Sequence, residues 1–270
     1  MVPISVDEDG GSSVLQLTAW GHAGVRLERA GRRLVIDPGS FTDPAILDGE
    51  DAVLVTHEHP DHVVPEQLVG ALAAKAGLEV WCNGSVTDLL LGAGAPPPRI
   101  HTVGAGDTFV AGGFDVRALG GEHARIHPDL PPVANLAYLV EHVVLHPGDS
   151  FTPPPAGTAV EVLLLPVGAP WLKLAESVDY VRMVAPQVTV PIHDATLTDA
   201  GKALADRVVS GLVGSVAYRR LVVGEGYTVD HATVARVLDV AHGRTVATEV
   251  LGGWRVSRSQ GRLSVTAPRP

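Results

Sequence analysis

Polar and apolar residues alternate with a period of two along the first part of the chain, which is the pattern of half-buried β-strands. The alternation, or an apolar run that ends at a turn, covers VLQLTAW (14–20), GVRLER (24–29) and RRLVIDPG (32–39). The next segment, DAVLVT (51–56), is mostly apolar and predicts a short strand that is buried on both faces. We therefore expect the chain to begin with a run of paired strands.

Farther along, segments with helical character alternate with strands. A helix is predicted for PEQLVGALAAKAG (65–77), because Pro stands at its start and Gly at its end. A second helix is predicted for SVTDLLLGAG (85–94), with Ser85 as its N-cap. Two more are predicted in WLKLAESVDYVRMVA (171–185) and LTDAGKALADRVVSGL (197–212). The strands predicted between and after these helices are LEVWC (78–82), Gly-punctuated strands in 99–119, a hairpin-like pair in 135–150, VEVLLLPVG (160–168), QVTVPIHD (187–194) and YRRLVV (218–223).

Hairpin runs followed by alternating strands and helices fit two sheets packed face to face with helices outside them, which is an α+β fold in a single domain. This domain is expected to cover residues 14–225. Residues 226–270 are expected to form a C-terminal extension packed on it. The segment from 231 onward predicts one helix and two polar strands and carries no chemical motif.

Two segments of the chain resemble each other. LVIDPGSFTDP (34–44) and VVLHPGDSFTPPP (143–155) each contain an apolar strand, a Pro-Gly turn, an acidic residue and Ser-Phe-Thr. One interpretation is a half-to-half repeat with the functional site at its seam, and the other is a chance similarity between two short turns.

Composition narrows the class of protein. Of the 270 residues, 46% are hydrophobic and 19% charged, as in a globular enzyme, and the net charge of -10 disfavours nucleic acid as a partner. The N-terminal residues lack the features of a leader peptide, and no apolar run is long enough to cross a bilayer, so we expect a cytoplasmic protein without a membrane partner. The single cysteine, Cys82, rules out an internal disulfide and a Cys-rich zinc site, and is expected to be a buried apolar side chain.

Three histidines and two acids are crowded into HEHPDH (57–62), directly after the apolar strand 51–56. In an extended chain His57 and His59 point to the same side, and the loop beyond them can turn Asp61 and His62 inward. Imidazole and carboxylate together suit zinc, manganese or iron but not calcium. Four candidate ligands exceed the needs of one open tetrahedral site, which favours two metal ions. The alternative is a solvated polar loop in which the histidines are there by chance.

The segment THEHPDH resembles the His-x-His-x-Asp-His motif of the metallo-β-lactamase superfamily, and the resemblance spans about residues 14–223. It implies a four-layer αββα sandwich that holds one or two metals at the sheet edges. It also implies three further ligands, in the order His, Asp, His, each in a loop after a strand; these are His123 in GGEHARIH, Asp149 in HPGDS and His193 in PIHD. By this resemblance the first metal takes His57, His59 and His123, the second takes Asp61, His62 and His193, and Asp149 bridges the two.

The front segment WGHAGVRLERAGRRLVIDPG and the absence of a His-Thr-x-Gly-His-Thr loop resemble the branch of ascorbate-6-phosphate lactonase and its uncharacterised cytoplasmic relatives. The Gly that usually precedes the Tyr of this branch is Ala137 here. Asp37 is either a group that orients a ligand histidine or a turn residue. His22 is expected to be a buried structural histidine. Substrate specificity is expected in the loops 41–50, 124–135 and 168–177, the last of which contains Trp171 as a pocket or packing residue.

The expected activity is that of a binuclear metal-dependent hydrolase. Two divalent ions, foremost Zn²⁺ with Mn²⁺ or Fe²⁺ as alternatives, would lower the pKa of water, and a bridging hydroxide would attack an ester, lactone, amide or phosphodiester of a small-molecule substrate. Asp61 is the expected catalytic residue, as a ligand that also orients the nucleophile or accepts its proton; His127 and His146 are candidate proton donors. The alternatives are an iron-dependent redox enzyme and a non-catalytic regulatory module that binds metal. The sequence leaves a homo-oligomer possible.

Overall fold

The structure is a computed structural model that describes residues 14–229, 247–250, 254–259 and 262–266. The strands of the first sheet are β1 (Leu15–Ala19), β2 (Val25–Arg29), β3 (Arg32–Ile36), β4 (Ala52–Val55), β5 (Glu79–Cys82), β6 (Ile100–Thr102) and β14 (Gly226–Val229). The strands of the second sheet are β7 (Thr108–Ala111), β8 (Phe114–Glu122), β9 (Ala134–Val140), β10 (Val144–His146), β11 (Val162–Pro166), β12 (Val188–Ile192) and β13 (Ala217–Tyr218). Their spatial orders are β14-β1-β2-β3-β4-β5-β6 and β13-β12-β11-β10-β9-β8-β7.

The two sheets face each other around a shared apolar core, to which Leu17 and Leu54 contribute from the first sheet and Tyr138 and Leu164 from the second. The helices of the described chain are α1 (Pro65–Ala74), α2 (Gly84–Gly92), α3 (Leu174–Val184) and α4 (Asp199–Leu212), with 3₁₀ turns at Pro44–Leu47 and Pro97–Arg99. The helices α1 and α2 pack on the outer face of the first sheet, and α3 and α4 on that of the second. The expected αββα sandwich is confirmed.

The two sheets repeat the same strand pattern. In the first, β2 and β3 are antiparallel and β3 to β6 are parallel; in the second, β9 and β10 are antiparallel and β10 to β13 are parallel. The Pro-Gly turns that suggested a repeat follow β3 and β10, which occupy matching positions. This topology supports the interpretation as a half-to-half repeat.

Two local predictions were wrong. The N-cap of α2 is Asn83, whose side-chain oxygen accepts a hydrogen bond from the backbone N–H of Val86; Ser85 is already helical. In the predicted strand 218–223 only Tyr218 belongs to β13, and the N–H of Arg219 still donates to the carbonyl oxygen of Thr189. The chain then turns so that Val222 and Val223 are largely exposed. Both errors concern short segments, where side-chain hydrogen bonds and turns outweigh the local hydrophobic pattern.

The C-terminal part contains a three-stranded antiparallel sheet of β15 (Ala247–Val250), β16 (Trp254–Ser259) and β17 (Arg262–Thr266), where two strands were predicted. The predicted helix before it falls in 230–246, outside the described residues. The strand β14, which begins at residue 226, pairs with β1 and closes the edge of the first sheet. Across the described segments, no helix combines the length and the apolar character needed to cross a bilayer.

Candidate metal centre

The residues predicted to bind metal lie at one edge of the sandwich, because they follow the carboxyl ends of strands that run in the same direction. His57 comes shortly after β4, Asp149 shortly after β10, and His193 directly after β12. His123 follows β8 from the neighbouring part of the second sheet. The structure thus brings residues that are far apart in the sequence to the seam between the two sheets.

The first group of side chains consists of His57, His59 and His123, whose candidate ligand atoms all lie within 4.8 Å of one another. Nε2 of His57 is 3.1 Å from Nδ1 of His59. The ring of His123 donates from Nδ1 to the carbonyl oxygen of Ala124 over 2.5 Å, which leaves the lone pair of Nε2 directed at the group. Three imidazole nitrogens therefore converge on one position.

The second group consists of Asp61, His62 and His193, together with His22, again within 4.8 Å. His193 donates from Nδ1 to the carbonyl oxygen of Gly168 over 2.7 Å, and its Nε2 lies 3.4 Å from Oδ2 of Asp61. Nε2 of His62 lies 3.8 Å from the same carboxylate oxygen. One carboxylate and three imidazoles, those of His62, His193 and His22, therefore face a second position.

Asp149 lies between the two groups. Its Oδ2 is 3.2 Å from Nε2 of His123 in the first group and 3.1 Å from Nε2 of His193 in the second, and its Oδ1 is 3.2 Å from Nε2 of His62. The indole N–H of Trp171 donates to Oδ2 over 2.9 Å and fixes the orientation of the carboxylate. This is the arrangement expected of a bridging ligand, and it brings together all seven residues singled out in the sequence.

The fit of these groups to a cation can be judged from atoms that lack a partner. Nε2 of His62, His123 and His193 and Oδ1 of Asp149 are buried and, among the described residues, form no hydrogen bond. Buried polar atoms are nearly always satisfied, so four such atoms in one place fit a site that binds a cation. A donor set of imidazoles and carboxylates fits zinc, manganese or iron.

The electrostatics of the centre agree with this fit. Burial lowers the pKa of His57 and of His59, which keeps both rings neutral and their lone pairs available. Burial opposes ionisation of Asp149, but His62 and the other nearby histidines outweigh it and hold the pKa of the Asp149 carboxyl well below its ordinary value. For His62, burial likewise opposes the charged form, but the carboxylates of Asp37 and Asp149 raise its pKa to about 10.

Asp37, left open in the sequence as either an orienting group or a turn residue, is an orienting group. Its Oδ2 accepts a hydrogen bond from Nδ1 of His62 over 2.7 Å, and it also accepts from the backbone N–H and the hydroxyl of Thr56. Asn83 fixes the same loop from the other side, because its amide donates to the carbonyl oxygen of Thr56. Sequence reasoning missed the roles of Asn83 and Trp171, which follow only from contacts between distant segments.

The two candidate proton donors have different surroundings. His146 is fully buried. Its Nδ1 accepts a hydrogen bond from the N–H of Gly148, and its Nε2 donates one to the carbonyl oxygen of Ala23. Both ring nitrogens are therefore bonded to the backbone, and His146 is not the group that protonates the leaving group. His127 is exposed and lines a cavity of about 170 Å³ that borders the centre at His123.

Comparisons with known proteins agree with this fold. A family model described as the beta-lactamase superfamily domain matches residues 16–193, so the chain belongs to this family. Protein Rv0786c of Mycobacterium tuberculosis is 37% identical over 196 residues, which are 70% of this chain and 89% of the relative. A UPF0173 metal-dependent hydrolase of Aeropyrum pernix is 28% identical over 203 residues, 67% of this chain and 83% of the relative. Igni18, a metallo hydrolase from Ignicoccus hospitalis, has the same fold, with a TM-score of 0.61, 20% identity and coverage of 80% of this chain and 98% of that one.

Proposed function

We propose that the protein is a metal-dependent hydrolase whose active site binds two divalent cations. The observation that carries this proposal is the position of Asp149, which faces both groups of histidines with one carboxylate. Membership of the beta-lactamase superfamily domain and the metal-dependent hydrolases among its relatives support it.

Apart from His22, which is treated below, the proposed ligands divide as the two groups do. His57, His59 and His123 would hold the first ion, Asp61, His62 and His193 the second, and Asp149 both. Zn²⁺ is the foremost candidate for this mixture of imidazole and carboxylate, and Mn²⁺ and Fe²⁺ are compatible with it.

When bound, a pair of such ions lowers the pKa of water and polarises the bond to be broken. Among the chain's own groups, Asp61 is the more accessible carboxylate, with 25% of its side chain exposed against 5% for Asp149. It can therefore orient a water molecule or the substrate at the mouth of the centre by accepting a hydrogen bond. Asp149 is buried and its orientation is fixed by the hydrogen bond from Trp171, so its proposed role is to hold the two ligand groups at a fixed distance from each other.

The proposed substrate is a small molecule with an ester, lactone or phosphodiester bond. The cavity beside His123 supports a compact substrate, since it has a volume of about 170 Å³. It is lined by part of the loop 124–135, including Arg125, Ile126, His127 and Leu130. The pocket combines an apolar wall, from Ile126 and Leu130, with the guanidinium group of Arg125.

The test starts from metal-free protein that is reloaded with Zn²⁺ or Mn²⁺ and assayed on panels of esters, lactones and phosphodiesters. We expect two ions per chain, hydrolysis only after reloading, and a loss of at least about a hundredfold in kcat/KM for Asp149→Asn. Asp88→Asn, on the exposed side of α2, is the matched control and should leave both quantities unchanged. A wild-type protein that binds no metal contradicts the proposal.

The same experiment decides between this proposal and two alternatives. Iron also accepts this donor set, so iron-loaded protein that is active only with oxygen would indicate a redox enzyme. Protein that binds two ions and turns over no compound of the three panels would indicate a regulatory module that binds metal.

A further inference from the structure

His22 lies in the turn between β1 and β2, at the edge of the metal centre, and belongs to none of the proposed ligand sets. Its side chain is fully buried although its backbone has a φ of 49°, in the left-handed region that non-glycine residues seldom adopt. A buried residue with such a backbone needs strong local contacts to hold it in place. The residues that His22 contacts include two of the proposed metal ligands, Asp61 and His193.

The hydrogen bonds of the ring fix its tautomer. The backbone N–H of Ala195 points at Nδ1 of His22 over 3.2 Å, so Nδ1 must accept and carries no proton. The proton of the neutral ring is then on Nε2, which lies 3.1 Å from Oδ2 of Asp61 and donates to it.

This tautomer excludes His22 as a metal ligand, although its Nε2 lies in the second group. If Nε2 bound an ion, the proton of the neutral ring would have to sit on Nδ1. Two N–H donors, from the ring of His22 and from the backbone of Ala195, would then face each other inside the protein, which is unfavourable.

The backbone of His22 contacts the second proposed ligand. Its carbonyl oxygen accepts a hydrogen bond from the N–H of His193 over 2.9 Å, and the two imidazole rings lie against each other with centroids 4.0 Å apart. His22 thus contacts Asp61 through Nε2 and His193 through its carbonyl and ring face. These two ligands come from different sheets, Asp61 after β4 and His193 after β12.

We propose that His22 is a positioning residue for the second metal ion, which it serves by orienting Asp61 through the Nε2–H bond and by fixing the loop of His193. The inference rests on the ligand set proposed above but not on hydrolytic activity. A hydrogen bond that orients a metal-binding carboxylate typically contributes ten- to a hundredfold to metal affinity.

The first test measures Zn²⁺ affinity by competition with a chromophoric chelator. His59→Ala and His193→Ala assign the two binding steps to the first and second ion. We expect His22→Phe, which keeps a ring but removes both hydrogen bonds, to weaken the second ion about ten- to a hundredfold and to leave the first unchanged. His22→Gln should restore most of the affinity, because its amide can accept from Ala195 and donate to Asp61.

Both variants carry the same backbone strain at residue 22, so a difference between them reports the hydrogen bonds. His101→Gln, at a half-exposed histidine on β6 that stacks on Trp81, is the control and should bind both ions as the wild type does. Equal affinity for the second ion in wild type and His22→Phe overturns the proposal, and so does an equal loss in His22→Phe and His22→Gln.

The second test needs no variant and applies even where His22→Phe fails to fold. Long-range ¹H–¹⁵N correlation spectra of the Zn²⁺-loaded protein report the tautomer of each histidine. We expect the Nε2–H form for His22 and the Nδ1–H form for His123 and His193, whose Nδ1 atoms donate to carbonyl oxygens. An Nδ1–H form of His22 would identify it as a ligand and overturn the proposal. Neither test depends on a substrate. If the hydrolase assay fails, metal affinity and the histidine tautomers still test the role of His22.

Discussion

The carboxylate of Asp37 lies 2.7 Å from Nδ1 of His62, and both side chains are completely shielded from solvent. The hydrogen bond places the proton on Nδ1 and directs the lone pair of Nε2 toward the metal centre. The carboxylate of Asp37 also accepts two hydrogen bonds from Thr56, so in each of these hydrogen bonds it is the acceptor.

The first prediction concerns Asp37→Asn. The amide that replaces one oxygen is itself a donor, so it must face one of the donors of Thr56 or His62, and His62 loses the charge that orients it. We expect the affinity for the second metal ion to fall about ten- to a hundredfold. Chelator competition measures this, with Asp88→Asn as the matched control. Unchanged affinity in Asp37→Asn would show that His62 needs no such partner.

The second prediction concerns the hydrogen bond from Trp171 to Asp149. Trp171→Phe keeps an aromatic ring against Phe151 but removes the N–H. A hydrogen bond to a charged group contributes about 1.5–3 kcal/mol, so we expect metal affinity to fall roughly tenfold or more. Both ions should be affected, because Asp149 faces both groups. Trp81→Phe, in the core between His101 and Phe109, is the control and should change stability without changing metal affinity.

The order of strands and helices could be predicted because it depends on short-range patterns in the sequence. The alternation in β1 and β2, and the Pro and Gly that bracket α1, act within a few residues. The cluster 57–62 was visible for the same reason, since its members are neighbours in the sequence. His123, Asp149 and His193 have no such local signal, and their convergence was predicted only through the resemblance to a family.

The contacts that orient the ligands could not be predicted from the pattern. Trp171 and Asp149 are 22 residues apart and meet only because the loop after β11 returns to the end of β10. The cap of α2 was misassigned because both Asn83 and Ser85 are good capping residues, and only the structure shows which side chain accepts from Val86. In each case the structure depends on a hydrogen bond between two particular atoms, and hydrophobic periodicity carries no information about such a bond.

The third prediction concerns the space beside the ligand loop. Gly39, in the Pro-Gly turn after β3, approaches the loop so closely that a Cβ atom there would lie 1.9 Å from the carbonyl oxygen of Asp61. Gly39→Ala must therefore displace the backbone between Asp61 and His62. We expect a loss of more than about 2 kcal/mol in the free energy of unfolding, and weaker binding of the second ion. Gly77→Ala, where an added Cβ meets nothing within 4 Å, should change the free energy of unfolding by less than about 0.5 kcal/mol.

The last prediction concerns Glu50, a carboxyl away from the metal centre. Its side chain is fully buried, its oxygens form no hydrogen bond among the described residues, and the nearest guanidinium nitrogen, of Arg26, is 3.6 Å away. Burial raises the pKa of Glu50 to about 7 against the opposing effect of Arg26. An acid with a raised pKa binds more protons in the folded than in the unfolded state between its two pKa values.

The free energy of unfolding of the metal-free protein should therefore fall as the pH rises from about 4.5 to about 7, and the contribution of Glu50, fully present below about pH 4.5, should be lost above pH 7. A shift of this size corresponds to about 3 kcal/mol at most. Glu50→Gln has no carboxyl to ionise, so urea unfolding should show it to be more stable than the wild type at pH 8, with the difference shrinking toward pH 4.5. Glu66→Gln, on the exposed side of α1, should follow the wild-type profile. A parallel fall of the wild type and Glu50→Gln between pH 4.5 and pH 7 would assign the pH dependence to other groups, because Glu50 is the carboxyl that the variant removes.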